Sequence, residues 1–175
     1  MALLQKMVNR NAEIYRNESR QKVVIEVRTR TTGPGASLMK THLSGSDRHD
    51  LLPSEGFESE KLTFEQQEGI SIRSWGGSVT YEISTPGSEF GPSRYTARRT
   101  VVKASNGRML TTVQAESLYG DSILRAVKDD GISDVELLQD APIAISFLLE
   151  VGESIEVIPG DGSIVELCRI DYQSE

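Results

Sequence analysis

Residues 95–119 read YTARRTVVKASNGRMLTTVQAESLY, and this stretch carries the strongest local structural signal in the chain. Asn106-Gly107 at its centre tolerates the positive φ angles of a type I′ turn, which is common in two-residue β-hairpins. The runs on either side, Tyr95–Ser105 and Arg108–Tyr119, contain the Thr and Val residues that favour strands. The pattern therefore predicts a long β-hairpin in which these two runs pair with each other.

Apolar and polar residues alternate with period two over most of the remaining chain, as in Val23–Val27 and Val79–Ile83. About nine such strands, with turns roughly every 8–12 residues, are typical of a sandwich or barrel. We therefore expect a mainly β fold, an antiparallel β-sandwich or barrel, of which a jelly roll is one form. No repeat or linker is visible, so residues 21–175 are expected to form a single β domain.

Two segments carry helical signals. Leu4, Met7 and Val8 fall on one stripe at helical spacing, which predicts an amphipathic N-terminal helix or arm over 1–20. Capping residues near 121–140, including the capping box from Ser133 to Glu136, predict one or two short helices there. The second of these segments is equally compatible with a strand.

Residues 44–60 show no period and are rich in Gly, Pro, Ser and charged residues. Such a composition predicts a loop. At this length the loop is long for a compact domain and is expected to be mobile or to make contacts.

The charges are sorted along the chain. Residues 129–175 hold twelve Asp and Glu against one Arg, a net charge of −11. The preceding 128 residues hold eighteen Lys and Arg against fourteen acids, a net charge of +4, and the total is −7. Such a split predicts that the two parts attract each other, inside one fold or between copies.

The strongest basic segment is the predicted hairpin arm over 94–108, and its natural partners are the carboxylates of the last third. Phosphate binding is a second explanation, but only Tyr95 offers an aromatic platform within the arm, so nucleic acid is not favoured. The N-terminal stripe must also pack on the body or on a neighbour. The candidate interaction residues are Arg94, Arg98, Arg99, Lys103, Arg108, Glu150, Glu153, Glu156, Leu4, Met7 and Val8.

The tetrad Gly120-Asp121-Ser122-Ile123 resembles the nucleophile block of the GDSL hydrolases, which would make Ser122 a nucleophile. That family also needs a histidine near the C-terminus, whereas the two histidines of this chain are His42 and His49. A helix cap is therefore the preferred interpretation of residues 121 and 122.

Residues 152–160, a strand ending in a Pro/Gly turn, resemble the second motif of the cupins. The resemblance implies a jelly-roll-like shape, but the metal-binding histidines of cupins are missing from this segment. Cys168 lies in an apolar run and is interpreted as a buried small side chain. We assign no catalytic, cofactor-binding or metal-ligating residue.

These observations favour a non-enzymatic structural or assembly subunit of a virion- or tail-type particle, such as a capsid protein. Its expected partners are other copies of itself or sister subunits. The alternative is a β-barrel that binds a small ligand, or an adaptor domain. Without a signal peptide or an apolar span, the expected location is the cytoplasm or a particle assembled there.

Overall fold

The structure, a computed structural model, describes residues 3, 5–42, 44–51 and 56–172. These residues form sixteen β-strands and no helix, so none of them belongs to a helix that could cross a bilayer. The strands are β1 (Lys6–Val8), β2 (Ala12–Asn17), β3 (Val23–Thr32), β4 (Ala36–His42), β5 (Gly45–Leu51), β6 (Glu58–Phe64), β7 (Gly69–Ser74), β8 (Ser78–Ser84), β9 (Ser88–Tyr95), β10 (Arg99–Lys103), β11 (Met109–Leu118), β12 (Ser122–Lys128), β13 (Gly131–Leu137), β14 (Ile143–Leu149), β15 (Ser154–Ile158) and β16 (Ile164–Asp171).

The strands form three sheets. The central sheet has eight strands in the order β5-β4-β7-β2-β14-β11-β16-β9. The N-terminal sheet has the order β1-β8-β3-β6, and the C-terminal sheet the order β10-β15-β12-β13. Among the named strands of the described residues, all neighbours are antiparallel except β2 and β14, which are parallel. The prediction of a mainly β fold built from antiparallel sheets is confirmed.

The strand order repeats within the chain. In the unit β1–β8, the first, eighth, third and sixth strands are neighbours in one sheet, and the second, seventh, fourth and fifth are neighbours in another. The unit β9–β16 shows the same two sets of neighbours. This is the strand order of a jelly roll, with its two facing sheets. The strands thus form two eight-stranded units, and the first unit begins at Lys6, inside the segment 1–20 that was expected to be a separate helix or arm.

The two jelly rolls place their cores on opposite faces of the central sheet. Ala144, Cys168 and Ile170 pack into the core beneath the N-terminal sheet. Ile145 and Leu167, one position away on the same strands, pack into the core beneath the C-terminal sheet. Because successive side chains of a strand point to opposite faces, one set of strands serves both cores.

A polar seam joins the N-terminal sheet to the far half of the central sheet. Lys6 Nζ donates to Glu116 at 2.8 Å and to Glu166 at 3.0 Å. Burial alone would lower the pKa of Lys6, but the hydrogen bonds and charges of the two carboxylates outweigh burial and raise that pKa. The hydrogen bond from Lys6 in turn lowers the pKa of Glu166.

The predicted N-terminal helix is wrong. Residues 1–20 contain the strands β1 and β2, joined by a turn, and the helical spacing of the apolar residues there is coincidental. Val8 is buried in the first core, whereas Met7 on the same strand is 65% exposed. Leu4 lies outside the described residues.

The short helices predicted near 121–140 are also wrong. This segment forms the β12–β13 hairpin, in which Lys128 lies opposite Gly131. Leu124 and Ala126 point into the second core. The alternation of these buried residues with Ile123, Arg125 and Val127 has the period of a strand, which here overrides the local capping signals.

The predicted hairpin around Asn106-Gly107 is wrong in its pairing. Val101 and Val102 do lie on β10, but β10 pairs with β15 rather than with the segment after Arg108. β11 pairs with β14 and β16 in the central sheet. In a jelly roll the second and third strands belong to opposite sheets, so residues 104–108 cross between sheets although their turn chemistry suits a hairpin.

The loop predicted over 44–60 is replaced in part by strands. Gly45–Leu51 is strand β5, and β6 begins at Glu58. Because β5 is the outer strand of the central sheet, six of its seven residues are exposed, and its sequence shows no alternation. Residues 52–55 lie outside the described residues.

Asn17 holds the end of β2 in place from a fully buried position. Its Nδ2 donates to the backbone oxygens of Gln21, Phe64 and Glu65, and its Oδ1 accepts from the backbone and hydroxyl of Ser19. The side chain thereby replaces backbone pairing at the point where β2 leaves the sheet.

We expect Asn17→Ala to lower the free energy of unfolding by about 2–4 kcal/mol, because it leaves several buried backbone groups unpaired. Asn9→Ala, at an exposed position of the same segment, is the matched control and should change it by less than about 0.5 kcal/mol. Urea unfolding followed by circular dichroism measures both. Equal stability of the two variants would contradict this role of Asn17.

Candidate interaction surface

The residues that the sequence offers for catalysis or metal binding have structural roles in the fold. Ser122 begins β12 and is buried, with its Oγ bonded to Ser117 Oγ at 2.7 Å, to Ser163 Oγ at 3.1 Å and to the backbone N–H of Gly160 at 3.1 Å. This serine cluster closes one end of the second jelly roll. No group of three His, Cys, Asp or Glu side chains placed to hold a metal occurs among the described residues.

His42 ties the β4–β5 turn to the turn before β7. Its Nε2 lies 2.7 Å from Asp47 and its Nδ1 lies 3.4 Å from Glu68. The hydrogen bond with Asp47, followed by that with Glu68, raises the pKa of His42. Both contacts hold surface turns together, which accounts for the position of this histidine.

The basic arm meets the acidic third of the chain inside one molecule. Arg98 pairs with Glu156 at 2.8 Å and Arg108 with Glu150 at 2.9 Å. Arg94 lies 3.2 Å from Glu166. Part of the charge split is therefore compensated within the fold, which reduces the number of basic groups available to a partner.

The remaining predicted interaction residues differ in their exposure. Arg99 and Lys103 are exposed on β10, the outer strand of the C-terminal sheet. Glu153, by contrast, is only 6% exposed and accepts hydrogen bonds from the backbone N–H groups of Asp129 and Glu150. Glu153 therefore shapes two turns and is not available to a partner.

The outer face of the C-terminal sheet carries a row of charges. Glu156 on β15 lies opposite Arg125 on β12, and Arg125 lies opposite Asp134 on β13. The Arg125 guanidinium binds both oxygens of Asp134, at 2.7 and 2.9 Å, and this contact lowers the pKa of Asp134. Arg98 extends the row through its contact with Glu156.

Aliphatic side chains flank this row on both sides. Ile123 lies between Ile158 and Glu136 in one flanking row. Val127 lies opposite Ile132 in the other, and Ile132 is 63% exposed. The face thus carries two aliphatic rows divided by a row of charges, with Lys103 at its β10 edge and Asp134 and Glu136 at its β13 edge.

The outer face of the N-terminal sheet is more polar. Arg28 on its inner strand β3 pairs with Glu82 at 3.2 Å, and Glu26 lies opposite Lys61. Its exposed apolar residues, Met7 and Val24, lie on different strands, β1 and β3, separated by β8. A cluster of outward aliphatic residues therefore distinguishes the C-terminal sheet, and such clusters mark contact surfaces.

An open groove of about 660 Å³ lies beside the acidic edge, between the two jelly rolls. Its walls come from β2 and from the segment 134–143. Arg10 crosses it and donates to the backbone oxygen of Gln139 at 2.8 Å. Arg16 on its floor is held by Glu13 at 2.7 Å. The cations of the groove are thus already engaged within the chain.

Only part of this surface follows from the sequence predictions. Arg98, Lys103 and Glu156 were selected as charges and do lie on or beside the outer face, whereas Arg99 lies opposite the buried Val157 on the core side of the sheet. Ile123, Val127, Arg125 and Asp134 were missed, because the segment holding them was assigned to helices. The signal that could have found them is the period-two alternation of residues 122–128 before the turn Asp129-Asp130.

No protein-family model matches the chain, and none of the curated proteins matches it. Among solved structures, vicilin from hazelnut (Corylus avellana) is 6% identical with a TM-score of 0.28, and the match covers 90% of this chain and 72% of that one. A cupin 2 conserved barrel domain protein from Leptotrichia buccalis is 8% identical with a TM-score of 0.27, covering 87% and 78%. Oxalate decarboxylase from Bacillus subtilis is 10% identical with a TM-score of 0.30, covering 100% and 68%. Likenesses at these scores carry no conclusion about this chain.

We expect Glu153→Ala to lower the free energy of unfolding by about 1–3 kcal/mol, because two backbone N–H groups lose a buried acceptor. Glu150→Ala, which removes an exposed partner of Arg108, should cost less than about 1 kcal/mol. Thermal unfolding of the two variants at one protein concentration separates a turn-forming carboxylate from a surface ion pair. An unchanged stability of Glu153→Ala would contradict this role and would show that Glu153 acts as an ordinary surface acid.

Proposed function

We propose that the protein is a non-enzymatic structural subunit that assembles with copies of itself, and that the outer face of the C-terminal sheet is the contact. The observation that carries the proposal is the arrangement of this face. Two aliphatic rows flank a row of opposite charges, with Lys103 at the β10 edge and Asp134 and Glu136 at the β13 edge. A second copy offers matching aliphatic rows together with both opposite charges.

The alternatives receive less support from the same residues. A small ligand inside a jelly roll would need space, and the first core is filled by large buried side chains such as Tyr15, Phe64 and Tyr81. Nucleic acid would have to compete with the carboxylates that pair with Arg94, Arg98 and Arg108. A protein partner with both apolar and charged groups suits the face better than either.

The area of the face determines how strong the self-association is expected to be. Four strands about 4.8 Å apart and seven residues at about 3.4 Å each give a footprint of roughly 450 Å². Two such faces bury about 900 Å² together, which is in the range of weak interfaces. We therefore expect association at micromolar concentrations or above, reinforced where many copies are held together, as in a shell or tail particle.

The setting that we propose is such a particle, assembled in the cytoplasm, with sister subunits as further partners. Two jelly rolls fixed in one central sheet form a stiff body, which is a useful property for a wall unit. We propose this setting by analogy with other particle subunits of similar architecture. Self-association follows from the side chains of the contact face, and it can be tested first.

We expect the protein to associate reversibly in sedimentation experiments between about 1 and 500 μM, and to dissociate in 1 M salt, where screening shortens to about 3 Å. Ile123→Asp should abolish association, because it buries an unpaired carboxylate in an aliphatic row of the contact. Thr80→Asp, at an outward, half-buried position on an inner strand of the N-terminal sheet, is the matched control and should associate like the parent.

Circular dichroism must show that both variants keep their strand content. A parent protein that remains monomeric at every concentration in low salt would overturn the proposed function. Association of Ile123→Asp with unchanged affinity would move the contact to another face.

A further inference from the structure

We infer that self-association through the C-terminal sheet is a closed two-fold dimer, in which two such sheets stack face to face about an axis parallel to their strands. The inference rests on the proposed function and adds its symmetry. It follows from the order of side chains in two of the three outward rows of the sheet, each of which is complementary to its own reverse.

The first row shows the complementarity. It contains Ile158 on β15, Ile123 on β12 and Glu136 on β13. Arg98, which directly precedes β10 and binds Glu156, lies at its basic end. A two-fold axis between β15 and β12 reverses this order in the second copy. Arg98 then faces Glu136 of the other copy, and Ile158 faces Ile123.

The second row obeys the same rule. It runs from Thr100 through Glu156 and Arg125 to Asp134. After reversal, Glu156 faces Arg125 of the other copy, and the hydroxyl of Thr100 faces Asp134. Every charge of these two rows therefore meets an opposite charge or a hydrogen-bond donor, as a self-complementary interface requires.

Other two-fold arrangements bring like charges together. An axis along the rows places Glu156 on Glu156 and Arg125 on Arg125 of the second copy. An axis perpendicular to the sheet joins two basic β10 edges or two acidic β13 edges. Like-charge contacts of this kind cost free energy and exclude a partner.

Edge-to-edge growth would add β10 of one copy to β13 of the next. This contact would combine opposite charges, but the β10 edge is irregular. The register of β10 shifts between Thr100 and Val102. In addition, Arg169 Nη1 donates to the backbone oxygen of Val101 at 3.1 Å. An edge interrupted in this way is a poor template for strand addition.

Stacking about an axis along the strands also gives the strands of the two copies a common direction. Two sheets that pack face to face prefer strand directions within about 30° of each other, and they lie about 10 Å apart. Because the arrangement closes on itself, this face produces dimers and no larger species. A particle built from such dimers must use a second surface for growth.

Cysteine cross-linking tests the symmetry. Lys103 lies at the basic edge, in the row that ends at Ile132 on the acidic edge. In the inferred dimer each faces the other across the interface, whereas two Lys103 side chains lie three strand spacings apart, about 14 Å. The native Cys168 is buried in the first core and can remain.

We expect a mixture of Lys103→Cys and Ile132→Cys chains, treated with a bismaleimide shorter than about 14 Å, to give covalent dimers, and each variant alone to give at least fivefold fewer. The double variant should give a dimer closed by two links that does not grow. Efficient cross-linking of either single variant overturns the inferred axis, and a ladder of multimers from the double variant shows edge-to-edge growth instead.

Charge reversal supplies a second readout. Arg98→Glu and Glu136→Arg should each weaken dimerisation, by roughly threefold to tenfold. The two changes on one chain should restore it, because in the dimer each reversed residue faces the other. Failure of the double reversal to restore the affinity overturns the inferred pairing.

Sedimentation of the same samples separates the two levels of the proposal. Association without cross-linking in any sample overturns the two-fold dimer and leaves self-association standing through another face. Monomers throughout overturn the proposed function itself.

Discussion

The parallel pairing of β2 with β14 is the contact on which the architecture depends. It aligns Tyr15 with Ala144, Arg16 with Ile145 and Asn17 with Ser146, and so joins two jelly rolls into one eight-stranded sheet. The hydroxyl of Tyr15 lies 2.7 Å from that of Ser146, which bonds in turn to Thr112 at 2.8 Å. Burial raises the pKa of Tyr15, which favours the neutral hydroxyl that these hydrogen bonds require. Buried hydrogen bonds of this kind oppose a shift of register, because a slipped strand would leave them unpaired.

The shared sheet determines which surfaces remain open. Because the two jelly rolls cover opposite faces of it, the outer faces of the N-terminal and C-terminal sheets point away from each other. The N-terminal face is covered with paired charges such as Arg28 and Glu82, and water solvates it well. The C-terminal face keeps aliphatic side chains in contact with solvent, including Ile132 at its acidic edge. The fold thus produces one polar face and one face suited to contact, although both sheets are built from the same topology.

The sequence predicted the strands that alternate strongly and failed where pairing is set at long range. β3 and β8 were found because buried and exposed residues alternate along them. β5 was missed because an outer strand of this kind has a polar sequence, and β12 and β13 were missed because capping residues imitate helix ends. The partner of β10 could not be read from Asn106-Gly107, since a turn signal describes only the adjacent residues. β15, its true partner, follows about fifty residues later, and only the jelly-roll order brings it there.

The candidate surface shows the same division between local and long-range information. Arg98 and Glu156 were recognisable as charges, but their position on one face depends on the β10–β15 pairing. The charge split of the sequence therefore acquires a different meaning in the fold. Three bases of the arm are paired with acids of their own chain, and exposed pairs of this kind contribute little stability, typically about 0–1 kcal/mol each.

What remains is an asymmetry of charge across four strands, with Lys103 at the β10 edge and Glu136 at the β13 edge, beside the Asp134 that Arg125 already binds. No rotation of side chains within one molecule can bring these edges together, because β15 and β12 lie between them. A second sheet placed on the first in reversed order brings each edge onto its opposite while covering the two aliphatic rows. The uneven distribution of charge along the sequence thus becomes a difference in charge between the two edges of the C-terminal sheet. This difference makes the sheet complementary to that of another copy.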